Sequence, residues 1–285
     1  MKIINCSPGL ISIPPVHWGA IEKLIWEIHK EFELRGHTSI ITYDVPSVYE
    51  PGDIVIVHMA NQALEMASKQ IPYYFWMNDH HVVLGGKHSY CFQNNYNAIQ
   101  KSIKSFVSAK FLVEYFGLSN VSYLQLGVNS RIYHPQIVPT HAKRLLCVGN
   151  TGNQFDPNHD RKGFGLAIQT ARSLNWPITI AGPTNNNKNF FEIHKPVDVD
   201  LTVLYDYTEE QLVKLYGEHR IFIHPSDLEG GQPNLTLLEA LSCGLPIVGM
   251  GFEPLKGMKI TNSDLVLSSF YSSILKFCLF LFTFS

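Results

Sequence analysis

Short apolar runs recur down this chain, each too brief for an ordinary helix, and alternate with longer stretches of helical spacing. In the first half Lys2–Cys6, Thr38–Tyr43, Asp53–His58, Tyr73–Met77, Ser105–Ser108 and Val121–Gln125 read as strands. Gly19–Arg35 sets Ile21, Leu24, Ile25, Ile28 and Phe32 at helical intervals and stops at Gly36. Pro135, Pro139 and polar residues break the pattern from His134 to Lys143, which reads as a linker. The alternation then restarts with strands at Arg144–Val148, Ile178–Ala181, Leu201–Tyr205 and Ile221–His224, and a helix over Gly163–Leu174. Thr208-Glu209-Glu210-Gln211 fits a capping box opening a helix to about Glu218. Strands separated by helices imply parallel sheets with both faces covered. The expectation is an α/β chain of two doubly wound, Rossmann-like sheets facing a cleft, with ligands at the carboxyl ends of strands.

At 285 residues the chain is long enough for about two domains. A 45% hydrophobic and 16% charged composition fits a folded globular protein. A net charge of −2, with no long Lys/Arg run, argues against a general nucleic-acid binder. Cys6, Cys91, Cys147, Cys243 and Cys278 are scattered and form no C-x-x-C, so free thiols in a reducing compartment are expected. Residues 1–9, MKIINCSPG, lack the apolar core of a signal peptide. The expected location is cytoplasmic, with peripheral membrane contact left open.

The stretch with most chemistry is Ile221 to Val248. A buried strand leads into an acidic, glycine-rich turn with Asp227, Glu229, Gly230 and Gly231. A helix then opens at Pro233 or Asn234, carries Glu239 in its third turn, and ends at Gly244-Leu245-Pro246. Glycines admit a ligand close to the backbone, and a helix start offers N–H groups to an anion. The N–H groups near Gly231, Gln232, Asn234 and Leu235 would face a diphosphate or sugar oxygen. Glu239, with two acceptor oxygens, suits the vicinal diol of a ribose. A plain βα unit with a tight turn is the competing reading.

Three further constellations matter. Arg161-Lys162-Gly163 stands at a helix start, where it is either a solvated basic pair or a cationic clamp on a departing diphosphate. Gly19 precedes the first helix, but the segment has neither G-x-G-x-x-G nor Walker spacing. Asn78-Asp79-His80-His81 ends a strand; the histidines lack the i,i+4 partner of a helix-borne zinc pair, which leaves either a role near donor or acceptor for Asp79 and His80 or simply satisfied surface or core histidines. His58 has the same choices.

Read in order, these residues resemble the retaining GT-B glycosyltransferases of family 4, glycosyl transferases group 1. Pro14-Pro15-Val16-His17-Trp18-Gly19-Ala20-Ile21-Glu22 looks like the family's entry loop, and Arg35-Gly36-His37 its first helix end. Leu126-Gly127-Val128-Asn129 with Tyr133-His134-Pro135 resembles the segment before its linker. Cys147-Val148-Gly149, Lys162-Gly163, and His224-Pro225-Ser226 through Glu239-Ala240 to Cys243-Gly244-Leu245-Pro246 resemble its second-domain motifs. The match runs from residue 1 to about 250.

The resemblance implies a GT-B fold with an acceptor-side domain at 1–138 and a nucleotide-sugar domain at 139–260, the second reading as truncated. It implies transfer of a sugar from a nucleotide-diphosphate sugar to an unknown glycan, lipid or protein hydroxyl. Configuration would be retained, with no metal and no cofactor beyond the donor substrate. Arg161, Lys162, Asp79 and His80 would serve catalysis. Gly19, Glu229, Gly230, Gly231, Gln232, Asn234, Leu235 and Glu239 would bind the donor. Nine residues separate Glu229 from Glu239 where the family has seven, and Gly231 stands at the family's first glutamate position. Asn150 replaces its arginine, and Asn78 precedes Asp79 where it often has His. The helices that return to the first domain are missing. A catalytically impaired nucleotide-sugar-binding remnant is therefore the alternative; a nicotinamide-dependent oxidoreductase lacks its fingerprint. For the apolar tail, 261–285, a membrane span, a packing element and a frameshifted end all stay open.

Overall fold

The computed structural model describes residues 1–9, 11–16, 19–47, 49–78, 80–83, 85–124, 126–135, 143–149, 160, 162–182, 198–205, 207–226 and 234–249. The first half forms a six-stranded sheet of β1 (Lys2–Cys6), β2 (Thr38–Thr42), β3 (Ile54–Val57), β4 (Tyr74–Met77), β5 (Lys104–Val107) and β6 (Val121–Tyr123). Its order is β2-β1-β3-β4-β5-β6, and every pairing is parallel. The register sets Ile4 between Ile40 and Val55, and Val57 beside Phe75. Side chains alternate across each strand, so Ile4, Cys6, Val55, Val57, Phe75, Met77 and Val107 all join the core on one face. Helices α2 (Ala60–Ser68), α3 (Tyr90–Lys101) and α4 (Lys110–Phe116) cover that face with Met66, Phe92, Ile99 and Leu112. Phe92 stacks on Phe116 with ring centroids 5.4 Å apart and meets Tyr115 edge-on. Burying one such side chain contributes about 1.5–3 kcal/mol.

Helix α1 (Ala20–Leu34) lies on the opposite face. Ile25 is fully buried there, whereas Leu24, Ile28 and Phe32 line the cleft between the halves. Their helical spacing therefore serves two surfaces.

The second half forms a five-stranded sheet of β7 (Leu145–Val148), β8 (Ile178–Ala181), β9 (Leu201–Leu204), β10 (Ile221–His224) and β11 (Ile247–Gly249). Its order is β11-β10-β7-β8-β9, again wholly parallel. The strands β7 and β8 are buried at every residue, as expected of strands covered on both faces. Helix α5 (Phe164–Leu174) packs Phe164, Ala167 and Ala171 on one face. Helices α6 (Glu209–Glu218) and α7 (Leu235–Ser242) pack Leu212, Tyr216, Leu237 and Ala240 on the other. Val128 and Ile132 also pack against this second core, and Tyr133 is part of it.

The strands and helices read from sequence recur within one or two residues at each end, and the capping box of Thr208 with Gln211 is present. Asn234, not Pro233, caps α7, and Glu239 is its fifth residue, in the second turn rather than the third. The strand order reverses between β1 and β3 and between β7 and β10, the positions where open parallel sheets bind ligands.

Candidate active site

Glycines govern the carboxyl edge of the second sheet. Gly163 precedes α5 with φ +70°, and a Cβ there would lie 2.5 Å from the Pro225 carbonyl oxygen. Gly182, after β8 with φ +102°, comes equally close to Gly149: a Cβ would lie 2.7 Å from its carbonyl oxygen. The segments leaving β7, β8 and β10 thus touch backbone to backbone. The Lys162 stem packs over Gly149, which puts it at the end of β7, beside the reversal in strand order. The start of α5 already has a carboxylate: the Gly165 N–H donates to Asp160 Oδ2 at 2.6 Å. An anion held by Lys162 would have this acidic neighbour.

Helix α7 is capped by Asn234, whose Oδ1 accepts from the Leu237 N–H at 3.1 Å and from Thr236 Oγ1 at 2.8 Å. One turn further in, Glu239 is 3% exposed. Its Oε2 accepts from the Tyr216 hydroxyl at 3.0 Å, and its Oε1 lies 3.7 Å from Lys23 Nζ, which belongs to α1 of the first domain. Lys23 Nζ also donates to the Tyr133 hydroxyl at 3.2 Å and lies 3.5 Å from Glu209 Oε1. The Tyr133 hydroxyl donates to that same Glu209 oxygen at 2.8 Å. Burial pushes the Glu239 carboxyl above its usual range; the Lys23 charge and hydrogen bonds from Tyr216 and Tyr133 oppose the rise, and the Glu209 charge adds to it. Burial, then the Glu239 charge, pushes both phenols upward, so they remain donors. Pro14, Pro15, Lys23, Tyr133, Leu235 and Glu239 are among the residues lining one cavity of about 710 Å³ between the domains.

On the first-domain side Gly19 takes φ 133°, and a Cβ would lie 3.0 Å from Glu22 Oε2 and 3.1 Å from Ile11 Cδ1. Glu22 is 4% exposed, and burial raises its carboxyl. Asn78 Nδ2 lies 3.4 Å from His58 Nδ1. His58 is held neutral, because burial depresses it to about 3. Buried atoms without hydrogen-bond partners among the described residues include both polar atoms of the Asn5 side chain, His58 Nε2 and Trp76 Nε1. Asn5 and Trp76 lie on β1 and β4 and His58 just past the end of β3, three neighbouring strands, at the carboxyl edge of the first sheet.

Of the residues singled out from sequence, Leu235 and Glu239 line the cavity, while Gly19, Lys162 and Asn234 lie outside its described lining. His80 opens a short 3-10 turn, His80–Val83. Asp79, Arg161, Glu229, Gly230, Gly231 and Gln232 fall outside the described residues. Sequence reasoning missed Lys23, Glu209 and Tyr133. Glu209 was visible only as a capping-box residue, and Lys23 as one polar position of an amphipathic helix. Among the described residues no group of three or more His, Cys, Asp or Glu side chains could hold a metal ion, and no helix is long and apolar enough to cross a membrane.

Residues 142–259 match the family model described as glycosyl transferases group 1. No curated protein matches the chain. Among solved structures, sucrose-phosphate synthase from Thermosynechococcus elongatus superposes with a TM-score of 0.68 at 12% identity, over 87% of this chain and 80% of that one. An alpha-glucosyltransferase in complex with UDP and a 13-mer DNA gives 0.58 at 13% identity, over 87% and 79%. The catalytic domain of starch synthase IV from Arabidopsis thaliana, bound to ADP and acarbose, gives 0.57 at 11% identity, over 87% and 82%. The chain therefore has the two-sheet GT-B fold of glycosyltransferases, and its second domain bears the sequence pattern of glycosyl transferases group 1.

Proposed function

We propose that the protein is a retaining glycosyltransferase of family 4. It moves a sugar from a nucleotide-diphosphate sugar to an acceptor hydroxyl without a required metal. The observation that carries this reading is Glu239: a buried carboxylate on the cleft wall of the domain that matches glycosyl transferases group 1. In this role its oxygens accept the two hydroxyls of the donor ribose. Lys162, fixed at the end of β7, neutralises the diphosphate together with Arg161. Gly19, Glu229, Gly230, Gly231, Gln232, Asn234 and Leu235 complete the donor site, and Asp79 and His80 serve catalysis near the acceptor or the donor sugar. The acceptor hydroxyl attacks from the face that the diphosphate leaves, and a diphosphate oxygen takes its proton. Positioning and charge stabilisation then supply the rate.

The test is a panel of UDP-, ADP- and GDP-sugars scored by thermal unfolding, followed by transfer assays. A matching donor at 100 times its dissociation constant is expected to stabilise the protein by about 2.7 kcal/mol. Glu239→Ala and Lys162→Ala are expected to cut turnover strongly. Full turnover in both variants, or no donor stabilising the wild type, refutes the assignment.

A further inference from the structure

Glu239 and Lys23 come from different domains, yet they face each other in the cleft wall. We infer that Lys23 is a positioning residue for donor binding: its ammonium keeps the Glu239 carboxylate charged, so the ribose-reading group is completed from across the domain boundary. The inference rests on the reading of Glu239 as the ribose carboxylate.

Three observations carry it. First, Glu239 is 3% exposed, and an ionised carboxylate is not retained in such surroundings without a compensating charge. Second, among the described residues the groups that act on it supply a single cation. Tyr216 of α6, Tyr133 of the connecting segment, Tyr207 ahead of α6 and Cys243 past the end of α7 are all pushed upward by burial, Cys243 to about 12, and stay neutral. Glu209 adds negative charge. Among the described groups that act on it Lys23 is the one with positive charge, and its side chain is 19% exposed.

Third, the distance suits the role. At 3.7 Å Lys23 Nζ is beyond hydrogen-bond range of Oε1 yet close enough for strong Coulomb attraction. One N–H of the ammonium donates to the Tyr133 hydroxyl. Lys23 therefore leaves Oε1 able to accept from an incoming hydroxyl, and Oε2, accepting from Tyr216, has a second lone pair. Lys23 supplies charge without occupying the acceptor positions.

The test compares wild type, Lys23→Met and Lys23→Arg as full chains, with UDP and ADP as probes in calorimetry from pH 5.5 to 9. Without the cation Glu239 protonates more readily, and a protonated carboxyl cannot accept from both hydroxyls. Lys23→Met is expected to weaken nucleotide binding about tenfold for each unit by which the Glu239 pKa rises above the assay pH. The loss is expected to shrink as pH increases, and Lys23→Arg to bind close to wild type. A loss of equal size at every pH, or none, overturns the inference.

A second readout separates failure here from failure of the donor assignment. Unfolding midpoints against pH are compared for Lys23→Met with Glu or Gln at position 239. Because burial raises the native Glu239 pKa above 4.5, the native state holds the extra proton just above that pH, and stability falls as pH increases. Removing Lys23 extends that fall to higher pH. Lys23→Met is therefore expected to cost progressively more with rising pH, and this trend is expected to vanish in the Glu239→Gln background. The same pH trend in both backgrounds, or no trend with Glu239 present, overturns the inference even where no nucleotide binds.

Discussion

Replacing Gly163 by alanine isolates the backbone packing that fixes Lys162. Two costs combine at this position. Its φ of +70° puts an L side chain in the left-handed region, worth roughly 1–2 kcal/mol. The new Cβ would also meet Pro225 at 2.5 Å from its carbonyl oxygen and 2.8 Å from its ring. Neither contact involves the far end of a flexible side chain, so the backbone must move, and overpacking of this kind costs roughly 1–3 kcal/mol. Gly36→Ala is the matched control, because Gly36 has φ +79° and nothing within 4 Å. Gly36→Ala is expected to lose the conformational part alone. For a chain of this size about 1 kcal/mol corresponds to roughly 2–4 °C. Thermal unfolding is therefore expected to show Gly163→Ala melting several degrees below Gly36→Ala. Nucleotide binding is expected to weaken only in Gly163→Ala, since Lys162 moves with its neighbour. Equal melting points for the two variants would refute the backbone-contact argument.

Two further outcomes follow from a buried imidazole and a helix cap. Burial depresses His58 from 6.5 to about 3, so the unfolded chain binds the extra proton between those values and stability falls as pH drops from 6.5 toward 3. Unfolding in denaturant across this range is expected to show a shallower acid loss in His58→Phe, and an unchanged slope contradicts the buried neutral imidazole. Thr208→Ala removes the hydroxyl that accepts from the Gln211 N–H at 3.2 Å and is expected to cost about 1 kcal/mol in denaturant unfolding. Thr208→Ser should retain most of that stability, and equal stability of all three proteins discounts the cap.

Local signals were legible where one physical cause dominated. The apolar run at Leu145–Val148, and that at Ile178–Ala181 interrupted only by Thr179, identify strands buried on both faces, as found. Thr208 and Gln211 announce a helix start through reciprocal hydrogen bonds, and both bonds form. The helices Ala60–Ser68, Tyr90–Lys101 and Lys110–Phe116 do not declare themselves in the sequence. The first is rich in polar residues, and the other two stand out only once Phe92, Leu112 and Phe116 are seen on one sheet face. At the site, the strand Ile221–His224 and the Asn234-capped helix that carries Glu239 are legible because strand, cap and carboxylate are close in sequence. The partners of Glu239 are not, because Lys23, Tyr133 and Tyr216 meet only when two domains and a connecting segment come together. Periodicity reports which side of a helix faces an interior, not which residue of another domain stands opposite.

The peptide joining the two sheets is not a neutral tether. Tyr133 is embedded in the second core, its carbonyl accepts from the Ser242 hydroxyl, and Pro135 packs beside Gly244. Anyone dissecting the molecule should therefore treat Val128 to Pro135 as a wall of the second half. Cutting after Pro135 would leave the leading fragment with an orphaned greasy strip and strip insulation from its counterpart, inviting both pieces to clump.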